Sequence, residues 1–591
     1  MNKKITTTLL ATLLTTSIAS MNTLNIYAEN DNQPPSSDSG TPPEKPDGES
    51  SDGQTPPDMP SGENGEGQTP PDGQGPQGGE GANTQTFDYS GSYSGTLTAS
   101  GSENSSSDET LEATESDQNV ALAQDGGTLT VDNGTLTKSG DDTNGDNCNF
   151  YGLNSIALTV GSESLTKISN STLNATSEGS NGIFATDNGT VYANNDTIST
   201  TAGNSRGLDA TYGGTIIANQ MTISTQGDHS ASIATDRGGG NVSVTNSELS
   251  TAGSGSPLLY STGDVEVDNV TGTATGSQIA GMEGLNKIYI YNSQLSSTNN
   301  AISGSDPIKN GVIIYQSTSG DADTSASEKA RFEASNSILS TTIDSGSMFY
   351  VTNTDANVVL SSTLLSFDSD NVNLLQVEGN DSNGWGSAGS NGATLKFTGL
   401  SETLNGNITV DSISSADIYL LEQTTYTGAT SITQNANSST SADSNITMNI
   451  SSDSKWVVTG DSTVTNLNVE EGGKIVDADG KTVTIVNNGK TILEGTSDYT
   501  ITVEGTYSTE FTTDEDNALS TEYIDRSGFD STYNLSTTFN TNSTEATPSA
   551  TTTSSSTTTD TTNNTLVYVG AGIATIVVVG TIAYFLLKKK K

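Results

Sequence analysis

Cysteine is almost absent from this chain, and that absence sets the first limit on how it holds together. Among 591 residues only Cys148 is available, so no intrachain disulfide can form and stability must come from stacking. No partner residue marks Cys148 as a metal ligand or nucleophile. Aromatic residues make up 5% and hydrophobic residues 30%, too little for a broad globular core. A narrow core of Ala, Ser, Thr, Val and Ile is still within reach. Lysine and arginine number 21 against 70 acidic residues, a net charge of −49. Such a surface stays soluble and repels polyanions, which argues against nucleic acid as a partner. Histidine occurs once, as His229. Proline is scarce outside one stretch: eleven of the 14 lie between residues 29 and 85.

What the chain does have is repetition. Gly189-Thr-Val-Tyr-Ala-Asn-Asn-Asp-Thr-Ile-Ser-Thr200 recurs as Gly214-Thr-Ile-Ile-Ala-Asn-Gln-Met-Thr-Ile-Ser-Thr225 and as Gly240-Asn-Val-Ser-Val-Thr-Asn-Ser-Glu-Leu-Ser-Thr251, at offsets of 25 and 26 residues. Periods of this size mark solenoids. Val191 and Ala193 alternate with Tyr192 and Asn194, the two-residue period of a strand with one buried face. Asn195 stops the alternation, and asparagine tolerates the left-handed backbone of a sharp bend. Ile198 restarts the apolar face. The same slot holds Asn133, Asn170, Asn195, Asn246, Asn269, Asn292 and Asn336, with Gln220 and Ser362 in two other copies. A further strand precedes each frame, as in Gly182-Ile-Phe-Ala-Thr186. One repeat thus carries three short strands and three bends, and only stacking on its neighbours buries its face. Stacked asparagine amides are expected to bond to one another along the axis. Asn195 is then a buried ladder member and Asp196 a solvated side chain. The fold class is all-β, a parallel β-helix over residues 86–510 with on the order of 17 coils of roughly 24 residues. Excursions interrupt it at 137–152, 304–330 and 378–394, where Gly, Asp, Ser and Asn dominate.

These repeats resemble the right-handed β-helices of the pectin-lyase-like fold, most closely the β-helical adhesin repeats of autotransporter passengers. Ser454-Lys-Trp-Val-Val-Thr-Gly-Asp-Ser-Thr-Val-Thr-Asn-Leu467 is similar to the last coils of such passengers, where a Trp-bearing strand seals the core. Residues 450–510 are accordingly expected to cap the solenoid, whose open edges need cover. The resemblance ends there, because no membrane barrel follows.

The flanks read differently. Residues 1–28 have the basic start and short apolar stretch of a secretory signal. Residues 29–85 form a disordered Pro/Gly-rich acidic linker. Residues 511–565 form a Thr/Ser-rich stalk. Leu566 to Leu587 is an uncharged run long enough for one transmembrane helix, with Lys588 to Lys591 as its cytoplasmic tail. The tail is similar to that of sortase-anchored wall proteins of Gram-positive cells but lacks their LPxTG signal. The expected localisation is therefore a single-pass cell-membrane protein with most of the chain outside.

Polygalacturonases of this fold carry an Asn-Thr-Asp segment, an Asp pair, a Gly-His-Gly and an Arg-Ile-Lys. Here only Asn353-Thr354-Asp355 matches, so no catalytic residue is assigned. Asp142, Asn144 and Asp146 alternate like the start of a Ca²⁺ loop, but Asn147 and Leu153 stand where its glycine and glutamate belong, so neither metal nor cofactor is assigned. The one concentration of cationic groups is Arg206, His229 and Arg237 on adjacent coils. In register, Arg237 lies over Tyr212 and Asp236 over Thr211, with Asp209 nearby and Tyr151 and Asn154 one coil earlier. Aromatic faces flanked by donors suit sugar rings, and the two arginines are expected to attract an anionic sugar without supporting the fold.

This organisation describes an adhesin-type surface protein that binds glycans or other cell-envelope components. A polysaccharide lyase or glycoside hydrolase is the alternative, and a ligand-free spacer a third reading. Residues 86–510 are expected to fold alone, without disulfide or metal. Far-UV circular dichroism should show sheet that persists in EDTA and reductant, and a coil spectrum would contradict the repeat assignment.

Overall fold

The computed structural model describes residues 85–537 and 539, apart from 323–328 and 383. The expected signal, nearly all of the linker, the transmembrane run at 566–587 and the basic tail lie outside these residues. Among the described residues no helix is long and apolar enough to cross a membrane.

Each repeat folds as three short strands, and each strand pairs in parallel with its counterpart one coil on. Val191 faces Ile216, which faces Val242 and then Val265. Ile198 faces Ile223 and Leu249. The first sheet has 13 strands, from Gly95–Ser100 to Thr430–Thr433. The second has 15, from Glu103–Ser107 to Tyr507–Ser508. The third has 10, ending at Leu364–Ser366, and a sheet of four strands follows the second sheet's strands in the same way in later coils. The molecule is a parallel β-helix. The largest sheet falls short of 17 strands because the excursions spend chain outside the coils. One of them, 139–156, contains the helix Gly145–Tyr151, which Asn144 caps by accepting the Asn147 N–H at 3.1 Å.

The bend between second and third sheets explains the asparagine slot. Asn133, Asn170, Asn195, Gln220, Asn246, Asn269, Asn292, Asn336 and Ser362 all have positive φ, between 47° and 60°. Asp108 at 59° and Ser401 at 57° extend the row beyond the sequence reading. The slot therefore selects residues that tolerate the left-handed backbone. A continuous amide ladder is not what fills it. Asn195 donates to Asn170 Oδ1 at 2.8 Å and Asn269 to Asn246 Oδ1 at 2.7 Å, while Asn170 and Asn292 bond instead to Asp132 and Asp268. Asn195 is also exposed, and Asp196, read as solvated, is 1% exposed.

The buried ladder runs one residue later. There Ser171, Asp196, Ser247, Ser293 and Ser337 turn inward. Each accepts the backbone N–H of its counterpart one coil back: Gly134 N to Ser171 Oγ, Ser171 N to Asp196 Oδ1, Met221 N to Ser247 Oγ, Val270 N to Ser293 Oγ and Ser293 N to Ser337 Oγ, at 2.7–3.1 Å. The third bend has its own row, in which Ser205, Ser230 and Ser256 accept from Ser180, Ser205 and Ser230. Short hydroxyls satisfy donors that the bends would otherwise bury unpaired. The signal missed in the sequence was the serine that follows Asn170, Asn246, Asn292 and Asn336.

The later coils end in a small sheet of Ser462–Val464, Thr500–Val503, Thr484–Asn487 and Lys490–Leu493, the last two joined antiparallel. Trp456, on the strand Lys455–Val458 of the preceding four-stranded sheet, is fully buried, its indole N–H bonded to Gly428 O at 2.9 Å.

Residues 511–537, assigned from sequence to the stalk, are packed. They run back along the outer face of the second sheet as a strap. Lys396 holds Asp514 at 2.7 Å, Glu333 accepts the Ser520 N–H and Glu266 the Ile524 N–H. Arg526, 3% exposed, donates to Ala218 O, Ser243 O and Thr245 Oγ1 at 2.8–3.0 Å. Tyr533 reaches Ile168 O and Tyr192 O at 3.1 Å. Composition suggested a stalk, yet the sparse Arg526, Phe529 and Tyr533 suffice as anchors.

Two outcomes follow from these contacts. Burial pushes the Asp196 carboxyl up to about 7, against hydrogen bonds that lower it. A carboxyl raised on folding favours the native state while protonated, so this contribution is lost as pH rises from about 4 through 7, on the order of 4 kcal/mol. Asp196→Ser keeps an acceptor without the charge. Its melting temperature should exceed the parent's at alkaline pH and approach it in acid, and an alkaline decrease would refute the buried-ladder placement. Arg526→Ala should release the strap, with proteolysis rising between 511 and 537 while the far-UV spectrum is kept; unchanged cleavage would show that the strap is held elsewhere.

Candidate functional site

The site grows from one row of residues on the outer face of the first sheet. In register, this row reads Leu122, Leu158, Phe184, Asp209, Ala234, Tyr260, Gly281, Ile313, Tyr350. At one end Leu122, Leu158, Val160 and Phe184 form an apolar cluster outside the main core, with Phe87 and Tyr93 packed on it. The excursion at 139–156 closes over this end, and Gly152 (φ 75°) sits so near that a Cβ there would meet Leu158 at 2.5 Å and Phe184 at 2.6 Å. At the other end Ile313 and Tyr350 cluster with Trp385, which stacks on Tyr315 at 4.0 Å.

Between the covered ends a cavity of about 290 Å³ opens beside Tyr260 and over Gly281. Asn149 and Phe150 form one wall, Ser303 to Asp306 another, and Arg206, Asp236, Tyr260, Gln278, Gly281 and Tyr315 line it between them. His229 and Asp321 contribute at its edge.

Its charges are mostly matched inside the protein. Arg206 is buried, with Nη2 at 2.9 Å from Asp236 Oδ2 and Nε at 3.5 Å from Asp209 Oδ2. Nη1 donates to Asn149 Oδ1 at 2.5 Å. Burial pushes both carboxyls above the ordinary range, and Arg206 opposes the rise. Glu283 Oε2 accepts from Tyr260 at 2.8 Å and Tyr315 at 3.0 Å; burial and this carboxylate hold both phenols protonated. Asp306 differs: it accepts from Asn310 Nδ2 at 2.8 Å, and no cation among the described residues pairs with it. Burial pushes it up to about 7, the Asn310 bond acting the other way.

Of the residues singled out in the sequence, Arg206, His229 and Asp236 line the cavity. Asp209 lies beneath them, fully buried, its two oxygens without a hydrogen-bond partner. His229 is an exposed bend residue with φ 52°. The other four serve the fold. Asn154 is fully buried, φ 66°, and its amide donates to Gly140 O, Glu178 O and Ser180 Oγ. Tyr151 and Tyr212 stack on each other at 5.6 Å and 4°. Phe87 packs edge-on to Tyr212 and Tyr89 stacks on Tyr151, which leaves no free aromatic face for a sugar. Arg237 sits over the Phe150 ring at 3.6 Å and pairs with Asp321 at 2.7 Å.

Both arginines are thus paired internally with carboxylates, against the expectation that they stand free to attract an anionic sugar. Tyr260, Glu283, Asp306, Tyr315 and Asp321 were missed: Tyr260, Glu283 and Tyr315 are strand residues of the first sheet whose counterparts on neighbouring coils differ in type, and an excursion of irregular length brings in Asp306 and Asp321. The legible signal was the apolar outer row breaking at Asp209 and Ala234.

Asn353 lies at a bend with φ 53° and its amide donates to Gln316 O at 2.8 Å, a structural use of the Asn-Thr-Asp segment. Cys148 is buried, with Sγ at 3.0 Å from Gly145 O, and burial pushes its thiol well up.

Because Arg206 balances two buried carboxyls, Arg206→Ala should destabilise the protein by about 3–5 kcal/mol, against the expectation of an unchanged fold. Thermal melts read the difference, and a melting temperature equal to the parent's would return Arg206 to a surface role. No family model, curated protein or solved structure matches the chain, so the site is read from its own geometry.

Proposed function

We propose that the protein is a cell-surface, adhesin-type glycan-binding protein whose sugar site is the cavity over Gly281. The observation that carries this reading is the cavity itself: a concave space of about 290 Å³ on a β-helix face, with tyrosine rings and convergent donors and acceptors. Ring faces with flanking hydrogen-bond groups suit sugars. Sequence features support display: a secretory start, a Thr/Ser-rich stretch and an apolar C-terminal run. The finer resemblance, to right-handed pectin-lyase-like and autotransporter adhesin repeats, belongs to the same proposal, as does single-pass anchoring in a Gram-positive-type membrane.

Glycan hydrolysis is less well supported. Inverting or retaining chemistry needs two free carboxyl groups flanking one bond. Here Asp236 is tied to Arg206, Asp321 to Arg237 and Glu283 to two tyrosines, which leaves Asp306 without a free counterpart among the lining residues.

Gly281→Leu tests the site. A Cβ at this position meets only ordinary contacts at 3.5–3.6 Å, so the fold should survive while the side chain fills the cavity. On a glycan array the full chain should bind a subset of glycans, and the variant should lose at least about tenfold in affinity, about 1.4 kcal/mol, at a near-parental melting temperature. Equal binding by both would remove the sugar from this cavity, and product in a reducing-end assay would favour the enzyme reading.

A further inference from the structure

We infer that the sugar unit this cavity takes carries a protonated amine. The inference rests on the glycan-binding reading above and adds the ligand's charge.

The lining contains Arg206 against Asp236, Asp306 and Asp321. Arg206 is matched by Asp236 and Asp209, and Asp321 by Arg237. Glu283 lies behind the tyrosine hydroxyls, which it accepts. Summed over these groups there are two cations and five carboxyls, so the surplus is negative. Among the described lining residues a uronate or phosphate-bearing sugar meets no unpaired arginine or lysine, and His229 is the one further basic side chain.

The surplus is concentrated at Asp306. It lines the cavity, its carboxyl is held by Asn310 alone, and no cation faces it among the described residues. Asn310 is itself 5% exposed, and its Oδ1 has no hydrogen-bond partner. A half-buried carboxyl without a counter-charge sits beside a buried amide oxygen without a donor, and buried acceptors are ordinarily satisfied. An ammonium supplies three donors and the missing charge. The upward push on the Asp306 carboxyl has the same origin, burial without a counter-charge. Tyr260 and Tyr315 add ring edges and oxygens for the sugar around that amine. A hexosamine with a free amine fits these demands; its N-acetylated form has lost the charge and keeps a single N–H.

The test compares a glucosamine disaccharide, its di-N-acetylated counterpart and a galacturonate disaccharide against the full chain by calorimetry at about pH 7.4, above the value of about 7 to which burial pushes Asp306 and below that of an amine. The free amine should bind at least about tenfold tighter than the N-acetyl form, and Asp306→Asn should erase the difference while the melting temperature is kept. A chain this acidic attracts any cation, so Gly281→Leu is the control: it too must erase the preference. A preference that survives either variant assigns the effect to bulk charge and overturns the inference. Equal or tighter binding of the N-acetyl or galacturonate form overturns it also, while leaving a sugar in the cavity. Failure of all three to bind, with the array also blank, defeats the glycan reading itself.

Discussion

In-register stacking is the constraint on which everything else depends. Each coil buries its face only against the next, so every position is repeated and every buried polar group must find its partner one coil away. The bends are where this is hardest, because the chain turns too sharply for strand pairing to continue. Two devices meet the demand together. A residue tolerant of the left-handed region makes the turn, and a short hydroxyl just after it accepts the N–H left by the coil before. Asp196 and Glu402, which accepts the Thr363 N–H in the same way, are the members of that buried row that bring a carboxyl into a ladder otherwise made of hydroxyls.

The inner face is uniform, so individuality is confined to the outer faces. The second sheet's outer row, from Tyr192 through Ser243, Glu266 and Glu333 to Tyr419, is overlaid by the returning strap. Its backbone N–H groups end on carboxylates and its one buried arginine on carbonyls. The first sheet's outer row is overlaid instead by excursions from the coils. Both rows contain residues that make no sense as solvated surface, such as Phe184, Ile313 and Tyr350, until the covering segment is in place.

The cavity is a consequence of incomplete cover. Excursions close over the bulky ends of the row and leave a cavity over Gly281 between them. Charges that composition scatters thinly are drawn together there, and the pairing of Arg206 and Arg237 within the protein inverts the sign that a reading of isolated cations assigns. What matters for a ligand is the charge left unmatched, and that is carboxylate.

Period, strand alternation and the asparagine slot determine the parallel β-helix from sequence alone, because stacking forces like residues to recur and recurrence is visible in one dimension. The register was legible for the same reason, down to Arg237 over Tyr212. The inward turn of Asp196 against the outward turn of Asn195 was decided by the bend's handedness, which shifts the strict alternation by one residue. The strap at 511–537 and the cavity were decided only in three dimensions. Both arise where segments of unrelated sequence, far apart in the chain, meet an outer face, and nothing periodic records such a meeting.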